Sequence, residues 1–289
     1  MKHYRILFII VVFIGCNGSS TSKMKTAKVV AETMKNTSSL SIKEDKDVNE
    51  NIETTNNQDD WYWKNTLMSS NNVFANWEHG PVDLVMVYRY KNNESKPLTL
   101  KMGHIDGQGK IIINLPETIQ TETKLGNLQN LVFYDIQDIS KFIYTIPDAG
   151  YFGKTSIAVE KGGNTIGTLT LGNSVRVTYN LTNQSTLTMG DEGYLISWAY
   201  LDEAASMKGT EKTENKVRRD GTNTIEAQNT VVYDLNFKPG WNFVKTEIIG
   251  KYNLEHERGL NASWFKKHEH RVVSKIPEDA AYFFRKLSN

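Results

Sequence analysis

"VDLVMVYRYKNNESKPLTLKMGHIDGQGKIIINLP", residues 82–116, decides the fold class. It opens with strict alternation: Val82, Leu84, Met86, Tyr88 and Tyr90 share one face at a period of two. "LTLKM", 98–102, alternates again. "DGQG", 106–109, is a turn, and "KIIINLP" returns from it as a further apolar run. Pro116 ends that run, because proline cannot donate to a β ladder. Strand, polar turn, strand predicts an antiparallel sandwich.

The same grammar continues downstream. "NLVFYDI", 130–136, reads as another strand. "TSIAVE" and "TIGTLTLG" flank "KGGN", 161–164, which predicts a hairpin turn. "VRVTYNL", "GYLISWAYL" and "TVVYDLNF" read as strands. In "NFKPGWNF", 236–243, Pro239 presets φ and Gly240 accepts a positive φ, as a type II turn requires. The arm before it puts Tyr233, Leu235 and Phe237 on one side, and Trp241 and Phe243 follow the turn. "GTEKTENKVRRDGTN", 209–223, is a charged insertion, expected as a long exposed hairpin or loop. "SKIPEDAAYFF" offers one helical turn at Pro277 and then an aromatic strand. No long helical period follows residue 60. The expectation is an all-β chain with two antiparallel β domains, sandwich or barrel: an N-terminal sandwich at 60–147 and a C-terminal domain at 148–289.

Upstream the composition changes. Lys2 and Arg5 precede nine unbroken apolar residues, "ILFIIVVFI", and then Gly15, Cys16, Asn17 and Gly18. A basic start followed by a short apolar run has the layout of a secretory signal. It is shorter than the roughly 20 apolar residues of a membrane-spanning helix. Cys16 is the only cysteine in 289 residues, which rules out an intramolecular disulfide and a cysteine-rich metal site. Residues 17–59 contain no aromatic residue and no proline, and read as a flexible tether. As a coil they reach about 35 Å. Removing residues 1–15 takes away Lys2 and Arg5 and leaves 32 basic against 33 acidic side chains. So balanced a charge excludes a nucleic-acid-binding field.

Four constellations carry possible chemistry. "AGYFGKTS", 149–156, mimics a phosphate loop, but Asp148 stands where that loop needs its first glycine, and a strand pattern follows. "HEH", 268–270, puts His268 and His270 on one face of a strand. With His256 nearby they lack a defined third ligand, Glu257 being only a guess, and Lys266, Lys267 and Arg271 oppose a cation. A solvated polar stretch is the reading preferred there, and no metal or other cofactor is expected. No Gly-x-Ser-x-Gly elbow occurs, and carboxylate pairs such as Asp202 and Glu203 sit in polar surroundings, so no catalytic residue is assigned. Of six tryptophans most are expected in the core. Trp61 and Trp63 of "WYW" share a face if extended, and are the candidate surface ligand-binding pair.

The Gly15–Cys16 junction resembles a bacterial lipobox, although Phe13 and Ile14 replace its usual leucine and small residue. That resemblance implies a diacylglycerol thioether on Cys16, cleavage before it and acylation of the new N-terminus. The stretch ending Asp106, Gly109, Leu115, Pro116 resembles transthyretin-like or carboxypeptidase-regulatory-like β modules of bacterial envelope proteins. "YDLNFKPGWN" (Tyr233, Asp234, Leu235, Phe237, Lys238, Gly240, Trp241, Asn242) and the later Ile276, Pro277, Asp279, Ala280, Tyr282 resemble exported, Bacteroidetes-like lipoproteins with no assigned chemistry. The resemblance implies a lipid-anchored envelope protein. Because Asn17 is not the aspartate that retains lipoproteins in the inner membrane, the expected location is the outer membrane, face open. The expected action is recognition of a protein or glycan partner, not catalysis. The alternatives are an envelope assembly component or a hydrolase with an unrecognised site.

Overall fold

The computed structural model describes residues 65–88, 97–120, 125–131, 135–218, 223–255 and 261–287. All belong to one compact unit, Thr55–Asn289. The 106–109 turn forms as its residues dictate. Asp106 Oδ1 accepts from the backbone N–H groups of Gln108 and Lys110, and Gly109 takes φ +83°. A Cβ there would lie 2.4 Å from the Phe74 carbonyl oxygen. The turn joins β3 (Leu98–Ile105) to β4 (Ile111–Ile113), and β3 pairs with β2 (Val82–Tyr88). The "KGGN" turn is equally literal. Gly162 and Gly163 both have positive φ and join β8 (Ile157–Lys161) to β9 (Asn164–Gly172), as a type I′ hairpin requires.

The remaining strands are β1 (Thr66–Met68), β5 (Gly126–Asn127), β6 (Phe142–Tyr144), β7 (Gly150–Lys154), β10 (Gly193–Leu201), β11 (Ala205–Arg218), β12 (Thr224–Phe237), β13 (Gly240–Glu255), β14 (Asn261–Val273) and β15 (Ala281–Lys286). The fold is all-β: the fifteen strands form one open sheet whose main path runs from β4 to β6. Strands from the blocks expected at 60–147 and 148–289 are interleaved in it. β2 pairs with β8, β1 with β15, and β6 with β11. Every pairing is antiparallel except β12 with β14.

β10 is the centre. Tyr194, Ile196, Trp198 and Tyr200 point into one apolar core, and Leu195, Ala199 and Leu201 into another. A strand buried on both faces reads as a continuous apolar run, which "GYLISWAYL" is.

One element departs from the sequence reading. "VRVTYNL" is a helix, α1 (Val175–Thr182), not a strand. Ser174 caps it, its side chain accepting from Val177 N–H, and Val177 and Leu181, four apart, are buried in the second core. The alternating β-branched residues that suggested a strand serve a helix equally well once the cap is present. The centre of "NLVFYDI", residues 132–134, lies outside the described residues; Leu128–Asn130, at its start, is a 3₁₀ turn. The Pro239–Gly240 turn has its positive φ at Gly240 (+84°), and Asn242 ties it to the Lys238 and Gly240 carbonyls. It makes no hairpin, because β14 lies between β12 and β13. The charged insertion is the β11–β12 hairpin, paired from Ala205↔Phe237 to Arg218↔Thr224. Pro277 begins a turn closed by Ala280 N–H on its carbonyl, and the aromatic strand β15 follows.

Candidate functional site

Two neighbouring rows of the sheet build a polar cluster inside the second core. In one row Glu211, Val231, His268 and Ile248 are cross-strand neighbours on β11, β12, β14 and β13. In the next stand Gly209, Tyr233, His270 and Thr246. His268 and His270 share a face, as their spacing predicts, but they are not solvated. Both are 0% exposed, which corrects the polar-stretch reading. The cause is the segment that crosses above them. Gly209 has no side chain, and a Cβ there would sit 2.4 Å from the Lys141 carbonyl oxygen, so 138–142 can lie directly on the strand.

Glu211 fastens that segment. Its carboxylate, 1% exposed, accepts from Gln137 N–H (2.7 Å) and Asp138 N–H (2.9 Å), with Lys141 Nζ at 3.4 Å. The segment delivers Asp135 to the histidines. Asp135 Oδ2 accepts from His268 Nδ1 at 2.9 Å and His270 Nε2 at 2.7 Å, and Oδ1 accepts from the Tyr233 hydroxyl at 3.0 Å. The Asp135 side chain is 1% exposed. Thr246 Oγ1 lies 3.0 Å from His270 Nδ1. His270 stacks on Tyr233 at 4.2 Å and His268 on Phe265 at 3.8 Å. Gly250, at φ +70°, bends β13 opposite that stretch of β14.

Burial pushes the Asp135 carboxyl up, but the His270 charge and the hydrogen bonds from both imidazoles outweigh it. The group is held well below the usual carboxylate range. Burial, only partly opposed by Asp135, pulls His268 down. His268 Nε2 is buried with no hydrogen-bond partner among the described residues. Chemically the group is both a latch and a ligand set: one carboxylate oxygen and two imidazole nitrogens, all within 4.8 Å of one another. Sequence reasoning found the two histidines and missed Asp135. Its one signal was a lone acid inside an apolar run, which must be paired if buried.

A second site lies beneath α1. Thr66, Arg285 and Thr168 are cross-strand neighbours on β1, β15 and β9. Above them α1 presents Thr178, Tyr179 and Thr182, and together they line a cleft of about 210 Å³. The Arg285 guanidinium lies 4.6 Å over the Tyr179 ring, and Thr66 Oγ1 is buried without a partner among the described residues. A wider cleft of about 400 Å³ adjoins it, sharing Thr182 and Asn183 and bordered by Lys154 and Thr155 of the "GKTS" stretch. β7 and β8 flank that stretch and no helix follows it, as its departure from the phosphate-loop pattern predicts.

Trp198 and Trp77 are in the core, and Trp241 and Trp264 are partly buried. Cys16, Trp61 and Trp63, the residues assigned from sequence, lie outside the described residues, as do His256 and Glu257. Among the described residues no helix is long and apolar enough to cross a membrane. Comparison with protein families, with curated proteins and with solved structures gives no match to this chain.

Proposed function

We propose that this chain is a lipid-anchored protein of the bacterial cell envelope that acts by binding, and that the cleft beneath α1 seats an acidic saccharide. The signal-like N-terminus ending at Cys16 supports the anchor. The observation that carries the binding reading is the cleft wall itself: six threonine and tyrosine hydroxyls around one guanidinium. Hydroxyls donate and accept, which suits a polyhydroxylated ligand. A guanidinium recognises a carboxylate in bidentate fashion, and Arg285 has no ion pair among the described residues. The described lining contains no carboxylate and no imidazole, which favours binding over hydrolysis. Trp61 and Trp63, five and three residues before Thr66 in the sequence, are the candidate pair for stacking on a bound sugar ring.

Titration of the full chain with glucuronate and with a glucuronate-bearing oligosaccharide, followed by backbone NMR, tests the seat. Saturable shifts at Thr168, Thr178, Tyr179 and Arg285 are expected, and Arg285→Met should weaken binding about tenfold, or 1.4 kcal/mol. Absence of saturable shifts in those residues would refute it. Mass spectrometry of the natural product tests the anchor. A diacylglycerol on Cys16 is expected, and an intact Met1 on the mature protein would refute it.

One surface favours the alternative role of an assembly component. Ile143, 75% exposed, sits on the terminal strand β6 with Ile139 exposed beside it, and an open apolar edge is a template for another chain. Copurification of a partner that Ile143→Lys abolishes would support that role.

A further inference from the structure

We propose that Asp135, His268 and His270 supply three ligands to one divalent cation of the zinc class, in a buried site whose role is structural. Three donors of the right kind converge: two imidazole nitrogens, His268 Nδ1 and His270 Nε2, on a single carboxylate oxygen, Asp135 Oδ2. Two imidazoles and one carboxylate suit zinc and its first-row neighbours and reject calcium and magnesium, which take oxygen ligands. Tetrahedral zinc with bonds of about 2.0–2.1 Å sets its donors roughly 3.3 Å apart. The contacts here are 2.7 and 2.9 Å, so opening by about half an ångström admits the ion.

The outer atoms are already held as ligands in metal sites are held. Tyr233 donates to the other carboxylate oxygen, and Thr246 Oγ1 fixes the other nitrogen of His270. Stacking on Tyr233 and Phe265 sets the planes of both rings. His268 Nε2, in a ring 0% exposed, has no hydrogen-bond partner among the described residues, so of the three ligand side chains this ring alone lacks the outer contact. Side chains 0–1% exposed leave no way in for a substrate. The ion would tie the Asp135 segment to β12, β13 and β14 instead of performing chemistry.

The experiment uses the full chain, stripped of metal, with zinc, cobalt(II) and magnesium as probes. One equivalent of zinc should raise the thermal unfolding midpoint, and cobalt(II) should develop the visible d–d bands of a low-coordinate site. Magnesium should do neither. Asp135→Asn, which keeps the shape but loses the anion, should abolish both responses. Because that substitution also weakens the hydrogen bonds that hold the segment, the wild-type chain labelled with ¹⁵N-histidine supplies a second reading. One equivalent of zinc should move the ring nitrogens of His268 and His270 and leave those of His79 and His104 in place. Ring signals of His268 and His270 that stay fixed in excess zinc would overturn the proposal. So would cobalt bands that survive in Asp135→Asn, since the ion would then sit elsewhere.

Discussion

Glu211 shows what one buried carboxylate can hold. Two backbone N–H groups and a lysine converge on it, and charge-assisted bonds of that kind contribute about 1.5–3 kcal/mol each. Glu211→Ala should therefore cost about 3 kcal/mol in urea unfolding, and Glu211→Gln, which keeps one acceptor, distinctly less. A second residue-scale prediction concerns His79, packed edge-on against Trp77 and Phe284. Burial first, then the charges of Lys286 and Lys161, hold its imidazole below the ordinary value of 6.5, against the opposing pull of Glu78. Such a group binds protons more readily unfolded than folded. Stability is thus lost as pH falls through 6.5 towards the folded value, and levels off beneath it. NMR titration should find His79 titrating below free histidine, and Lys286→Met should bring it part of the way back. Neither residue was legible as special in the sequence. An isolated Glu in "GTEKTENK" and a His in "WEHG" look solvated, and only the third dimension brings them their neighbours.

At the scale of elements, legibility followed turn chemistry. "DGQG" and "KGGN" name their own geometry, because positive φ at Gly109, Gly162 and Gly163 admits few other residues. Gly163→Ala should destabilise by about 1 kcal/mol, measurable by chemical denaturation. α1 was not legible, since Val175, Val177, Tyr179 and Leu181 alternate like a strand, and the one-residue cap that decides the matter is Ser174. Ser174→Ala should cost about 1 kcal/mol and, by fraying the helix, loosen the cleft beneath it. A weaker glucuronate response in Ser174→Ala, with Arg285 intact, is the corresponding readout. The Pro239–Gly240 turn forms as read, yet its arms do not pair with each other. A type II turn fixes the backbone at four residues, but not whether its arms pair or part to receive a third strand.

For the whole molecule the sequence yielded the class and not the partition. Alternation identifies strands, whereas which strands pair depends on contacts far apart along the chain, and β2 with β8 or β6 with β11 leave no local trace. The same holds for the polar cluster, where Asp135 and His268 meet across 133 residues. Because β10 is shared by both cores, Trp198→Ala should cost about 3–5 kcal/mol. Probes in β2 and in β12 should report one coincident unfolding transition on heating. Two separated transitions would mean that the interleaved ladders do not couple the halves.

The seating of β15 between β1 and β9 sets the tempo of folding. Ser69 and Tyr282, joined backbone to backbone at that seam, are 213 positions apart. Closure entropy for so long a span is met before any ladder rewards it, which puts such topologies on the slow side, milliseconds to seconds. During that interval the flank of β9 that β15 will cover stands bare, and an unpaired edge is a template for self-association.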